Sequence, residues 1–307
     1  MRGAPEDGYE TVVIESPDAE LQATFVPGAG MVCCSLRHRG EELLAQRAGV
    51  RAYAQRGSTM GIPLLYPWAN RLAALRYPGP SGEVELAADD PLLKLDANGL
   101  PIHGAIPGLL PWELCEAGPE QLRARLRWEQ DDLLALFPYR HAVELSARID
   151  RAGLTIATTV SADGDCDVPV SFGFHPYLSP PGGDRASWHV ELPVSERLVL
   201  DGRMIPTGKR EPLQTRRFEL AGGGWDDAYA GLLEPPIFVL TGSTRTLRLG
   251  LLDGYSYAQL YAPAEADFAC FEPMTAPTNA LVSRSALPSV RAGQSFAASF
   301  QLSVELS

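Results

Sequence analysis

The chain alternates apolar and polar residues with a period of two over long stretches. Between His141 and Asp150, Val143, Leu145, Ala147 and Ile149 alternate with Glu144, Ser146, Arg148 and Asp150. Leu154, Ile156, Thr158 and Val160 continue the pattern after Gly153, and Leu122, Ala124, Leu126 and Trp128 alternate with Arg123, Arg125 and Arg127. Phe296, Ala298, Phe300, Leu302, Val304 and Leu306 repeat it late in the chain. Successive side chains of a strand point to opposite faces, so each run predicts a strand with one buried face. Ala152-Gly153, Asp163-Gly164, Pro181-Gly182-Gly183, Asp201-Gly202 and Asp253-Gly254 supply turns between them. No stretch of a dozen residues carries the helical period; only Glu41–Ala48 suggests a short helix. The pattern predicts an all-β, mostly antiparallel sandwich or barrel with few short helices.

Composition narrows this further. The 29 Gly and 26 Pro are spread through 307 residues without pooling into a linker, so one domain spanning 1–307 is expected. Lys and Arg number 26 against 38 Asp and Glu, a net charge of −12 with no basic stripe. Nucleic acid and anionic membranes are therefore not expected partners. No apolar run nears the roughly 18 residues of a membrane span. The first fifteen residues lack an apolar leader core, which points to the cytoplasm. Five cysteines, an odd number whose only close pair is the adjacent Cys33-Cys34, with no CxxC, argue against a disulfide framework. Cys270 reads as a small buried strand residue. A monomer or homodimer is expected.

Polar residues interrupt otherwise apolar segments at five places. Gly61-Ile-Pro-Leu-Leu-Tyr-Pro-Trp-Ala-Asn70-Arg71 ends on Asn-Arg; Pro101-Ile102-His103-Gly104 and Ser171-Phe-Gly-Phe-His175-Pro-Tyr177 each hold a histidine. Trp225-Asp226-Asp227-Ala228-Tyr229 brings two acids between aromatics, and Cys270-Phe271-Glu272-Pro273-Met274 carries a lone carboxylate. Apolar surroundings raise a carboxylate's pKa, and histidine titrates near neutrality, so the two together suit acid–base chemistry at pH 7. Trp68, Trp225, Phe172 and Tyr177 offer flat faces for the C–H side of a sugar ring. Asn70, Arg71 and the aspartates offer partners for its hydroxyls. Each segment also has a plain structural reading. His103 and His175 could cap turns, and Glu272 could accept backbone N–H groups at a strand end. Asp226-Asp227 could be a solvated turn, Arg71 a structural ion pair, and Trp68 and Trp225 core. His38, His141 and His189 read as surface residues.

These segments, taken in order, resemble the aldose 1-epimerase (galactose mutarotase) family. Pro63-Leu-Leu-Tyr-Pro-Trp-Ala-Asn70-Arg71 is similar to its Pro-rich segment ending in Asn-Arg, and Ile102-His103-Gly104 to its His-Gly segment. Phe174-His175-Pro176-Tyr177 is the most specific match; Asp226-Asp227-Ala228-Tyr229 and Phe271-Glu272-Pro273 complete the series. The resemblance implies a galactose mutarotase-like β-supersandwich acting on an aldose without cofactor or metal. It also implies Glu272 as the base on the anomeric hydroxyl and His175 as the acid at the ring oxygen. Asn70, Arg71, His103, Asp226, Trp225 and Tyr177 would bind the sugar, with the spacing to Tyr229 favouring Asp226 over Asp227. Glu272 and His175 are expected to face each other across a pocket slightly wider than a pyranose.

Three other readings compete. A sugar-binding or sugar-sensing protein on the same scaffold would keep the aromatic faces without turning over substrate. A hexose-phosphate epimerase would need basic residues to clamp a phosphate. A metal enzyme using His103, His175 and Glu272 lacks any close His pair to support it. The absence of a Gly-x-Ser-x-Gly elbow argues against serine hydrolase chemistry.

Overall fold

The period-two runs become the middle strands of a nine-stranded antiparallel sheet. In the computed structural model, which describes residues 1–221 and 223–307, its order starts Trp112–Ala117, Gln121–Trp128, His141–Asp150, Gly153–Ser161, Ser295–Leu306. Arg245–Asp253, Ile237–Thr241, His189–Glu191 and Arg217–Glu219 complete it. The register pairs Val143 with Val160 and Ile156 with Phe300, so the apolar positions of neighbouring strands share one face. An eight-stranded sheet packs on that face. Its order is Pro206–Pro212, Val194–Leu200, Trp225–Leu232, Tyr257–Ala262, Ala269–Met274, Gly173–Phe174 and Leu64–Leu65, with Tyr177–Leu178 also pairing to Ala269–Met274. Phe174 meets Phe300 at 5.1 Å between ring centroids and Phe238 meets Phe271 at 5.4 Å, which joins the two sheets in a common core.

α-Helix is confined to short pieces, Gly49–Arg56, Asp131–Leu136 and Ala280–Ser283 among the described residues. No helix forms over Glu41–Ala48; the first α-helix is the following segment, Gly49–Arg56. Glu41–Glu42 is instead a strand, because the Glu42 carboxylate accepts the backbone N–H groups of Leu36 (3.0 Å) and Leu44 (3.1 Å) and ties the hairpin. Two histidines expected at the surface are buried. His141 lies against Trp128 with Nε2 2.5 Å from the Tyr66 hydroxyl and Nδ1 2.6 Å from the Tyr139 carbonyl. His38 follows Leu36 on the inward face of its strand and accepts a hydrogen bond from Arg245. His189 is exposed, as expected. The described cysteines are free, and Cys270 is buried in its strand. No described helix is long and apolar enough to cross a membrane.

Strand alternation positions the site. Phe271 points into the common core, so Glu272 must point out of the opposite face of its sheet. The Asn70-Arg71 segment and the strand Pro101–Ala105 cover that face. They are laced by His103 N–H to the Asn70 carbonyl (2.9 Å), Ala105 N–H to the Tyr66 carbonyl (2.8 Å) and Leu72 N–H to the Pro101 carbonyl (2.9 Å). Gly104 makes the approach feasible. Its φ is 72°, and a Cβ there would stand 2.1 Å from the Tyr66 carbonyl oxygen. Gly104→Ala is therefore expected to cost about 3 kcal/mol from backbone strain and overpacking. Urea denaturation checks this, and a midpoint equal to that of the parent would contradict it.

Candidate active site

Four adjacent strands and two crossing segments bring the polar interruptions together. Gln259 pairs with Glu272 and with Ala228 across the sheet, and Tyr261 pairs with Asp226, so all four polar side chains rise from one face. Gly173 pairs with Met274 and Tyr177 with Cys270, which sets His175 beside Glu272. The result is a cavity of about 150 Å³ walled by Arg47, Thr59, Asn70, Arg71, Ile102, His103, His175, Tyr177, Asp226, Gln259, Tyr261 and Glu272. That is about half the lower limit for drug-sized pockets and suits a ligand no larger than one sugar ring. A wider groove of about 740 Å³ beside Arg216, Arg217 and Ile237 contains no histidine or cysteine, so size alone does not locate the chemistry.

His175 Nε2 lies 3.2 Å from Glu272 Oε1. The two therefore touch, rather than facing each other across the cavity, because strand pairing makes them lateral neighbours. Both are almost fully enclosed, at 4% and 2% exposure. Burial pushes the Glu272 carboxyl well above its ordinary range; nearby Asp226 adds to this and Arg71 opposes it. Burial pushes the His175 imidazole down to about 3, with Arg47 and Lys94 acting in the same direction. His103 is driven well below its ordinary value by burial and then by the neighbouring His175, its ring 5.6 Å away. Among the described residues, Glu272 Oε2, His175 Nδ1 and His103 Nδ1 have no hydrogen-bond partner.

A directed chain of hydrogen bonds runs from the covering Asn70-Arg71 segment down to the sheet. Arg71 Nε donates to Asp96 at 2.8 Å and its Nη1 to Asn70 Oδ1 at 3.1 Å; Asn70 Nδ2 donates to Gln259 Oε1 at 3.2 Å, and Gln259 Nε2 donates to Asp226. Arginine only donates and carboxylate only accepts, so the two ends fix which way both amides point. Burial would raise Asp96, but the Leu100 N–H, the Arg71 guanidinium and the Asn98 N–H outweigh it and hold its carboxyl below the ordinary value. Burial raises Asp226 despite Gln259 and Arg71. Asn70 (φ 54°) and His103 (φ 65°) both sit in the left-handed backbone region, which asparagine tolerates and histidine enters less readily.

Seven of the eight residues singled out from sequence line this cavity: Asn70, Arg71, His103, His175, Tyr177, Asp226 and Glu272. Trp225 does not. It precedes Asp226 on the strand, so it turns to the other face, where it stacks on Phe218 at 4.3 Å. Asp227 also turns away and pairs with Arg197. Trp68 and Phe172 are core residues without exposure. Tyr177, 1% exposed and parallel to His175 at 4.4 Å, supports the histidine rather than offering its face to a ligand. Arg47, Thr59, Gln259 and Tyr261 were not picked out from sequence. Gln259 had a signal, a polar residue in the apolar strand Tyr257–Ala262; Arg47 and Thr59 lie in ordinary loop sequence and had none.

Comparison with known proteins agrees with this architecture. Among solved structures, the chain is similar to the Slr1438 protein from Synechocystis sp. PCC 6803, with 22% identity, 99% of each chain covered and a TM-score of 0.81. It is also similar to a galactose mutarotase-like protein from Clostridium acetobutylicum (15% identity, 100% of this chain and 98% of the other, TM-score 0.86). A galactose 1-epimerase from Lactobacillus acidophilus NCFM shares 13% identity over 100% of this chain and 98% of its own, with a TM-score of 0.76. No curated protein matches the chain. The sequence profile for aldose 1-epimerase matches residues 11–303, nearly the whole length, and so the chain belongs to the aldose 1-epimerase family.

Proposed function

We propose that the protein is a mutarotase that interconverts the α and β anomers of a monosaccharide by opening and closing its hemiacetal ring. The observation that carries this reading is the enclosed contact of Glu272 with His175, 3.2 Å apart on the wall of a sugar-sized cavity. Ring opening requires one group to take the proton of the anomeric hydroxyl and another to protonate the ring oxygen. Glu272 accepts the first proton while the imidazolium of His175 delivers the second. The C1–O1 bond becomes a carbonyl, and the electron pair of the C1–O5 bond leaves with O5. The aldehyde turns about C1–C2, and the O5 hydroxyl adds to the other face. Its proton returns to His175, Glu272 returns a proton to O1, and both groups end as they began. Only protons are exchanged. Asn70, Arg71, His103 and Asp226 hold the hydroxyls during the turn.

The environment suits a proton exchanged in both directions. In water a glutamate is more acidic than a histidine by about 2 pK units, so the proton would stay on the imidazole. Burial raises Glu272 and lowers His175 to about 3, which reverses that order, so the proton rests on Glu272 and crosses the 3.2 Å contact to His175 before the ring opens.

Polarimetry on fresh α-D-glucose, α-D-galactose, pentoses and a hexose 6-phosphate tests the reading. The protein is expected to speed relaxation to an unchanged final rotation for at least one of these sugars. Glu272→Gln and His175→Asn should each lower kcat about 10²–10⁴-fold. Asp226→Asn should raise KM roughly tenfold while Asp227→Asn leaves it alone. Sugar binding by calorimetry without any acceleration would instead assign the protein a binding role.

Glu272 also sets a stability cost. A carboxyl whose folded pKa is raised favours the protonated folded state, so stability falls as pH rises from the unfolded value through the folded one. Glu272→Gln removes that penalty. The variant should melt higher than the parent at pH 8, and the gap should shrink toward pH 5. A gap that does not change with pH would contradict the assignment.

A further inference from the structure

Arg47 is the one site residue whose charge the proton cycle leaves without a task. It lies between the strand Glu41–Glu42 and the helix Gly49–Arg56, with φ 44°, and forms no ion pair with a carboxylate among the described residues. Its side chain is nonetheless committed. Nη1 donates to the Thr59 carbonyl (2.8 Å) and to the Tyr177 hydroxyl (3.0 Å), and Cζ lies 5.0 Å from the Tyr177 ring centroid and 5.6 Å from that of Phe268. Thr59 Oγ1 holds the same Tyr177 hydroxyl at 2.6 Å. The Tyr177 ring in turn lies parallel to the His175 imidazole, 4.4 Å away at an angle of 2°.

We infer that Arg47 is a positioning residue for His175, acting through the Tyr177 ring that both of them contact. This rests on the proposed role of His175 as the acid. A tyrosine locked at its hydroxyl by Arg47 and Thr59 cannot tilt, and a parallel ring holds the imidazole plane so that Nε2 stays on Glu272. The guanidinium adds a fixed positive charge one aromatic ring away from the imidazole. Every other group that faces His175 can be named. Glu272 contacts it from Ala269–Met274, Tyr261 stands edge-on at 5.6 Å, and His103 stands edge-on at 5.6 Å from Pro101–Ala105. Asp226 acts on Glu272 from Trp225–Leu232, across the intervening strand Tyr257–Ala262, and Cys270 lies on the same strand face as Glu272. Lys94, whose ammonium donates to the Gly57 carbonyl at 2.7 Å, adds a second positive charge. One contacting carboxylate therefore faces two cations, and of these Arg47 also orders the ring stack. Its charge opposes the imidazolium, so removing it must raise the proton affinity of the Glu272–His175 pair.

The test compares the parent with Arg47→Gln and Arg47→Lys. Two readouts are followed: the ¹⁵N shifts of His175 in histidine-labelled protein, assigned with His175→Asn, and the pH profile of mutarotation. In Arg47→Gln the His175 titration and both limbs of the kcat profile should move upward by roughly one pH unit, the size of one charge acting across a ring at a surface-like dielectric. KM should stay within about twofold. Arg47→Lys keeps the charge and should titrate close to the parent, with a lower kcat from the loosened stack. An unmoved His175 titration in Arg47→Gln would overturn the inference, as would a raised KM with an unmoved profile, which would make Arg47 a ligand contact. A shifted titration in a protein that turns over no sugar would support the Arg47 role and defeat the mutarotase reading instead.

Discussion

A carboxylate held out of water against an imidazole is the interaction on which the rest of the site depends. Enclosing Glu272 is unfavourable by itself, and an isolated buried charge would protonate or draw in solvent. Here the surroundings divide the demand. His175 contacts one carboxylate oxygen, while the other has no hydrogen-bond partner among the described residues. Arg71 offsets the negative charge, and Asp96 keeps Arg71 in place at 2.8 Å. The two large sheets provide the rigidity. Phe271 and Phe174, neighbours of the site in sequence, are packed into the core between them, so Glu272 and His175 move only if the core does.

The same alternation explains what could be seen in the sequence. Long period-two runs such as His141–Asp150 fixed an all-β reading, since their burial pattern needs only one face to be apolar. Glu272, His175 and Asp226 stood out because each interrupts an apolar segment. What the pattern could not carry was the register between strands. Without it, Asp226 and Asp227 cannot be told apart by pairing, Trp225 cannot be placed on the wrong face, and Glu272 and His175 cannot be seen to touch. His141 and His38 were misplaced for a related reason. A polar residue at an inward strand position is recognisable only once its partners, the Tyr66 hydroxyl and Arg245, are known. Arg47 and Thr59 reach the site from a loop, where no periodicity marks direction.

The site also shows where fold stability has been yielded for chemistry. Glu272 is kept against the pull of burial, and His103 and Asn70 hold left-handed backbone. Left-handed backbone also occurs away from the site, at Met31 and Met204 for example, so the cost particular to this cavity is the burial of Glu272.

The central claim, that Glu272 and His175 open a hemiacetal, is tested most directly by exchange NMR on a 1-¹³C-labelled aldose at equilibrium. Exchange needs the free anomeric hydroxyl, so the methyl glycoside of the same sugar is the internal control. The account predicts that the protein strengthens exchange peaks between the α and β anomers of the free sugar and produces none for the glycoside. Exchange that persists at the parent rate in Glu272→Gln, or no acceleration for any aldose that the cavity binds, would contradict it.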